Sequence, residues 1–503
     1  MKRLAMILPI ICFFVALVFQ MPVLGHESVD LEFFHPVKIT KEIPLNIRDC
    51  VSLAYQNSPK IKRQKYNLDI AKSNVGIARA GYFPVISAGV GFYNENNSDS
   101  VYYDKRYRDL PSVGVSINKM IWDFGKTTAN IKMEEFYKIG AEYEFMDSLC
   151  STLFDIKWKY YSLLRAKALL DVAKENRDIC ERIYNKTTKS PDKETSLVYF
   201  TKAKILYFEA LDNYKNAKLD LDNAMYLSGS KDYVIADTET FNYHIEDNYE
   251  KDGLDWSFNQ HEFPFKRENS AKIAYKNSPD LHVLIATKKA MIESLKYVKR
   301  MYLPELNANV GYGYNNTNYT SNSSLQVGVS LDSSVNLMEL KHSIKGADAQ
   351  LNLAQNEIDL FKKDLYYEIQ RAFNKVDKTV AQIPLAKDKV NQSYKTMKLV
   401  ESKYGGEGID YTSIHDARED YIQANEDYVE SLYKYNTALI QVEMAMHCHI
   451  VDIHHKSGHA VHHHSEELIS DLIKALECNK NPKSERKSRL FGKDVDLDEE
   501  EDL

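Results

Sequence analysis

The chain repeats itself, which constrains it more than any single motif does: what one half builds, the other half must build too. AYQNSP at 54–59 returns as AYKNSP at 274–279. At the same offset of 220 residues, GYFPVISAGVGFYN from Gly81 runs against MYLPELNANVGYGYN from Met301. Tyr82, Pro84, Ala88, Val90 and Gly91 recur as Tyr302, Pro304, Ala308, Val310 and Gly311. VGVS at 113–116 matches VGVS at 327–330 with an offset of 214, so the intervening loop is six residues shorter. The order is kept throughout, and the chain reads as two tandem copies of one unit of about 180 residues.

Each copy opens on a helical segment, Asn46 to Ala80 and Lys266 to Arg300, with Pro59 and Pro279 where a helix starts or kinks. Past Pro84 the period changes to two. Ile86, Ala88, Val90 and Phe92 alternate with Ser87, Gly89 and Gly91, and Val113, Val115 and Ile117 with Gly114, Ser116 and Asn118. The second copy does the same with Leu306, Ala308, Val310 and Tyr312, and with Leu325, Val327, Val329 and Leu331. Four strands of about ten residues result, long enough to cross a bilayer when tilted. The polar stretches YNENNSDSVYYDKRYRD and YNNTNYTSNSS read as exposed hairpin loops with aromatics near the strand ends. A soluble sandwich with a polar outer face fits the alternation too.

A long helical run follows each hairpin. Leu149, Leu153, Ile156, Tyr160 and Leu163 step by four and three, as do Leu365, Ile369, Ala372, Val376, Thr379 and Ile383, the seam of coiled-coil-like packing. About 60 residues of helix would extend roughly 90 Å. SPDKE at 190–194 and YGGEGIDY at 404–411 interrupt the runs, and helices return over about Thr195 to Tyr226 and Thr412 to Met446.

This order resembles that of the TolC-like outer-membrane efflux proteins. The residues carrying the resemblance are A-x-x-x-N-S-P in both halves, the strand after Y-x-P, SINKMIWDFGKTTANI at 116–131 and KYGGEGIDYTSIHDAREDYIQANEDY at 403–428. It covers roughly residues 45 to 446. It implies a mainly α fold with a β-barrel portion: long coiled-coil-like hairpins plus four transmembrane strands per chain, in a trimeric α/β barrel. Four strands cannot close a barrel, and lipid tolerates no open edge, so copies must pool their strands. A dimer would supply eight and a trimer twelve, with room for a channel; the resemblance implies the trimer. It also implies a periplasmic adaptor and an inner-membrane transporter as partners, beside outer-membrane lipid. The expected function is a passive exit duct of a tripartite efflux pump or type I secretion system, carrying small molecules, metal ions or polypeptides across the periplasm and outer membrane. A soluble periplasmic coiled-coil scaffold, or a metal-binding periplasmic protein, is the alternative.

The N-terminal MKRLAMILPIICFFVALVFQMPVLG reads as an export signal over 1–25, with a 26–44 extension behind it. The copies then occupy 45–228 and 265–446, separated by an equatorial segment at 229–264, and 447–503 form a tail. Past the signal, five scattered cysteines do not make a disulfide framework. A net charge of −7 without a basic stripe gives no reason to expect nucleic acid. No phosphate loop, nucleophile elbow or metalloprotease motif is present, so no catalysis is expected.

A duct needs a gate and a charge filter. Aligned on the family's D-A pair, Asp416 matches one aperture aspartate, Ser413 stands where another would be, and Asp410 offers a substitute charge. All three equally suit a capped, solvated helix start behind Thr412. The tail departs from the family pattern: His447, Cys448, His449, His454, His455, His459, His462, His463 and His464 crowd one tract. Imidazole and thiolate favour Zn²⁺, Cu and Ni²⁺, so the tract is capable of metal binding although no cofactor is required. The charged segment after it reads as solvated.

Overall fold

The computed structural model describes residues 39, 44–94, 109–187, 192–229, 232–238, 241, 267–316, 321–403 and 411–447. The expected export signal, the hairpin stretches 95–108 and 317–320, most of the equatorial segment and nearly all of the tail lie outside these residues. The flanks of the expected second loop are strand instead, Tyr314, Asn315 and Asn316 pairing with Ser323, Asn322 and Ser321, because backbone pairing continues through polar residues.

The first copy runs α1 (Ile47–Asn57), α2 (Pro59–Ala80), β1 (Val85–Asn94), β2 (Asp109–Trp122), α3 (Lys126–Lys186) and α4 (Asp192–Ala224). The second runs α5 (Ser270–Asn277), α6 (Pro279–Arg300), β3 (Glu305–Asn316), β4 (Ser321–Asp332), α7 (Leu337–Ser402) and α8 (Tyr411–Met446). The expected single opening helix is therefore two helices in each copy.

The repeated AYxNSP motif explains the break. Ser58 N–H donates to the Ala54 carbonyl at 2.8 Å, closing α1, while its Oγ accepts from Ile61 N–H at 3.3 Å, opening α2. Ser278 does the same with Ala274 (2.8 Å) and Leu281 (3.3 Å). Proline follows at the first helical position, where a missing N–H costs nothing. The motif's tyrosines reach the long helices: Tyr55 donates to the Leu149 carbonyl and Tyr275 to the Lys362 carbonyl, both at 2.9 Å. Asn46 closes the N-terminus of α1 in a capping box with Asp49.

α3 has 61 residues and α7 has 66, so each is roughly 90–100 Å long. Leu149, Ile156, Tyr160 and Leu163 of the first seam are buried, as is every member of the second. α4 folds back on α3, and α8 on α7; α3 also packs on α2, α6 and α8, so it joins the halves. Near its middle, Tyr160 points its hydroxyl at the carbonyls of Leu45 (2.9 Å) and Ala236 (2.5 Å), where Leu45 bridges Ile235 in parallel.

One contact between α3 and α8 breaks the apolar pattern. Lys157 Nζ donates to Glu443 Oε2 at 2.8 Å, with the side chains 3% and 0% exposed. Each charge needs the other, because an unpaired ion in a dry interior is far costlier than the pair. Glu443→Gln is expected to lower stability by about 3–5 kcal/mol in denaturant unfolding. The double variant Lys157→Met/Glu443→Leu should recover most of the loss.

Candidate functional site

The strands form one antiparallel sheet in chain order, β1-β2-β3-β4, with β1 and β4 as edges. Their register aligns like with like. Ile86, Ile117, Val310 and Val327 make one row across the sheet, and Ala88, Val115, Tyr312 and Leu325 the next. The other face carries Ser87, Ser116, Gly311 and Gln326, then Gly89, Gly114, Gly313 and Ser324. Among the described residues no layer packs on the apolar face: Val90 is 68% exposed, and Leu325 and Val327 are 71%. A soluble sandwich would bury that face between sheets. An apolar band over a small and polar opposite face suits a barrel with lipid outside and water inside.

At the end away from the hairpin loops, the chain turns from β2 into α3. Asp123 accepts from Gly125 N–H at 2.9 Å and Thr127 N–H at 2.5 Å. Burial works against its charge, but these bonds and one to the Thr127 side chain hold its carboxyl below the usual range. Gly125 has φ +84°, where an L side chain is strained, and a Cβ there would lie 2.8 Å from Arg300 Nη1, the flexible end of a side chain that would have to shift. Arg300 donates to the Gly125 carbonyl at 2.9 Å, and Lys126 pairs with Glu305 at 3.0 Å. β4 passes into α7 more simply, through an Asn336 cap on Met338 and Glu339.

At the opposite end of the long helices, α8 starts against α3 and α4. Ser413 and Asp416 are exposed on α8, and Asp410 lies outside the described residues. Asp416 Oδ1 is 3.5 Å from the Tyr199 hydroxyl of α4, and Lys202 pairs with Glu419. His415 stacks on Tyr199 with centroids 4.0 Å apart and 7° between planes. Asp420 is exposed too, one turn beyond Asp416 on the same stripe. The motif alignment passed over it, although i, i+4 spacing makes it readable. His415 and Arg418 were also missed, since both look solvated in sequence.

Arg418 is 2% exposed, and none of its guanidinium nitrogens has a hydrogen-bond acceptor among the described residues. The Cys180 thiol and the Glu401 carboxylate act on it electrostatically. Burial, reinforced by Arg418 and opposed by Asp416, depresses the His415 pKa to about 4. His447, first of the histidine tract, has a buried Nδ1 without a hydrogen-bond partner among the described residues, and burial lowers its pKa against the pull of Asp280. Cys448, His449, His454, His455, His459, His462, His463 and His464 lie outside the described residues. Among the described residues no group of three or more His, Cys, Asp or Glu could hold a metal.

No described helix is long and apolar enough to cross a membrane. The sequence profile of the outer membrane efflux proteins matches residues 50–225 and 271–446, most of the chain. The chain therefore belongs to the outer membrane efflux protein family. It is a channel of an efflux system, not an enzyme. No curated protein matches it in sequence. Solved structures share its fold at low identity. The CmeC outer membrane channel of Campylobacter jejuni has a TM-score of 0.69 at 14% identity, over 89% of this chain and 94% of that one. The MtrE outer membrane channel of Neisseria gonorrhoeae gives 0.65 at 11%, over 82% and 94%. The outer membrane protein VceC of Vibrio cholerae gives 0.63 at 12%, over 80% and 95%.

The buried histidine makes the tip contact dependent on pH. A released His415 binds a proton near pH 6.5, whereas the packed one resists until about pH 4. The packed state thus has its full His415 contribution above pH 6.5 and loses it progressively between 6.5 and 4. Hydrogen-exchange protection of residues 411–420 should fall over that window, and His415→Phe should flatten the response.

Proposed function

We propose that three copies of this chain pool their sheets into a twelve-stranded barrel across the outer membrane, continued into the periplasm by the long helical hairpins. The observation carrying this reading is the uncovered sheet, apolar on one face, small and polar on the other, and open at both edges. Twelve strands leave a water-filled bore where eight would be filled by side chains. The helical tips then meet a periplasmic adaptor and an inner-membrane transporter. The C. jejuni, N. gonorrhoeae and V. cholerae proteins support it as outer membrane proteins of the same fold.

At the tip, Asp416 and Asp420 from each copy would ring the aperture and favour cations. Asp410 stands close enough in sequence to add to that ring, while Ser413 dilutes it. Arg418, buried beside the Cys180 thiol and without a geometric hydrogen-bond acceptor among the described residues, would make the packed tip costly to hold, as an aperture that opens requires. Purified protein should migrate as a trimer and conduct in planar bilayers. Asp416→Asn/Asp420→Asn should lower the cation-to-anion permeability ratio several-fold without loss of the trimer. A soluble monomer in the periplasmic fraction would favour the scaffold alternative and overturn the channel.

The histidine tract supports a second proposal, that metal ions such as Zn²⁺, Cu or Ni²⁺ are part of the cargo and are gathered by the tail. Deleting residues 448–467 should then lower metal tolerance while leaving the trimer and its conductance intact. Unchanged tolerance would separate the tail from transport.

A further inference from the structure

The end of β2 next to α3 is irregular, a place where bulges often re-aim a side chain. As far as Met120 the strand keeps step with β3, Ile117 opposing Val310 and Lys119 opposing Ala308. The register then shifts, and Trp122 rather than Ile121 opposes Leu306. Paired residues share a face and faces alternate along a strand, so one extra residue carries the indole to the other side of the sheet. In unbroken register Trp122 would lie on the face of Ser87 and Ser116. The bulge instead puts it on the apolar face, in the row of Leu306 and Leu331.

Lys119 stands on that same face, in the next row, beside Ala308 and Val329. The two rows are about 7 Å apart along β3. The neighbouring cations are committed, Lys126 to Glu305 and Arg300 to the Gly125 carbonyl. Lys119 is exposed and has no ion-pair partner among the described residues. Trp122 is 58% exposed, with its ring edge-on to Phe124 at 6.1 Å. Exposed Tyr82, Phe83 and Tyr302 precede the strands at this end. An ammonium on a hydrocarbon-facing surface is costly unless its stem lies along apolar neighbours and its head meets an anion.

We propose that the bulged end of β2 is a binding site for a glycerophospholipid of the periplasmic leaflet, resting on the membrane reading above. Lys119 takes the headgroup phosphate, and Trp122 lies against the glycerol region with its N–H free to donate to an ester carbonyl. The bulge is what brings the two together.

The test uses full-length protein with Trp158→Phe and Trp256→Phe, leaving Trp122 as the one tryptophan. In vesicles of phosphatidylethanolamine and phosphatidylglycerol, bromines placed high on the acyl chains should quench Trp122 more than bromines near the chain ends. In detergent, titrated phosphatidylglycerol should raise Tm. Lys119→Ala should need roughly fivefold more lipid for the same rise, as for the loss of one lysine at an anionic lipid surface. Lys119→Arg should keep the response, and inorganic phosphate should give none. Stronger quenching from the deep bromines, an unchanged lipid response in Lys119→Ala, or an equal response to inorganic phosphate would overturn the site. Failure of the membrane reading itself looks different: the protein would not float with vesicles, and neither set of bromines would quench.

Discussion

A sheet that has, among the described residues, two open edges and no layer packed on its faces cannot persist alone in water, and the rest of this molecule is arranged around that fact. The edge N–H and C=O groups of β1 and β4 need partners, and the row of Ile86, Ile117, Val310 and Val327 needs an apolar medium. In the proposed barrel, lipid would supply the second need and more strands of the same kind the first. The register that holds through the body of the sheet matters here, because a one-residue slip there would mix glycine and serine into the apolar band.

The helices carry the opposite burden. α3 and α7 are far longer than a compact domain needs and are stabilised along their length by a continuous apolar seam. Where the seam turns polar, the exceptions are informative. Lys157 and Glu443 are paired and so hold α3 and α8 in one register. Near the start of α8 the Arg418 guanidinium and His415 Nε2 have no hydrogen-bond partner among the described residues, so the packing there is less secure than at the middle. Strength at the centre with tension at the tip suits the proposed assembly, in which the centre would hold while the aperture changes.

Much of this was legible in the residues. The strands announced themselves because a half-buried strand has a period of two, and the long helices because a packed seam advances by three and four. The AYxNSP echo set the frame for both, yet its own role was hidden. That Ser58 closes one helix and opens the next, and that Tyr55 and Tyr275 reach carbonyls on the long helices, follows from backbone angles and distant contacts. The candidate site was less legible. Asp416 could be read from a motif, but the stacking of His415 on Tyr199 depends on α4, and Arg418 lies beside Cys180 of α3, each more than two hundred residues away in the chain.

By itself the sequence determined the duplication, the order of helices and strands and the chemistry of each sheet face, because these depend on periodicity and on neighbours a few residues apart. Only the tertiary structure decided which charges are buried in pairs, which are buried alone, and on which side of the sheet Trp122 lies. The physical reason is the same in each case. Burial is set by what packs against a side chain from elsewhere, and a single bulged residue reverses a strand's faces without altering its composition.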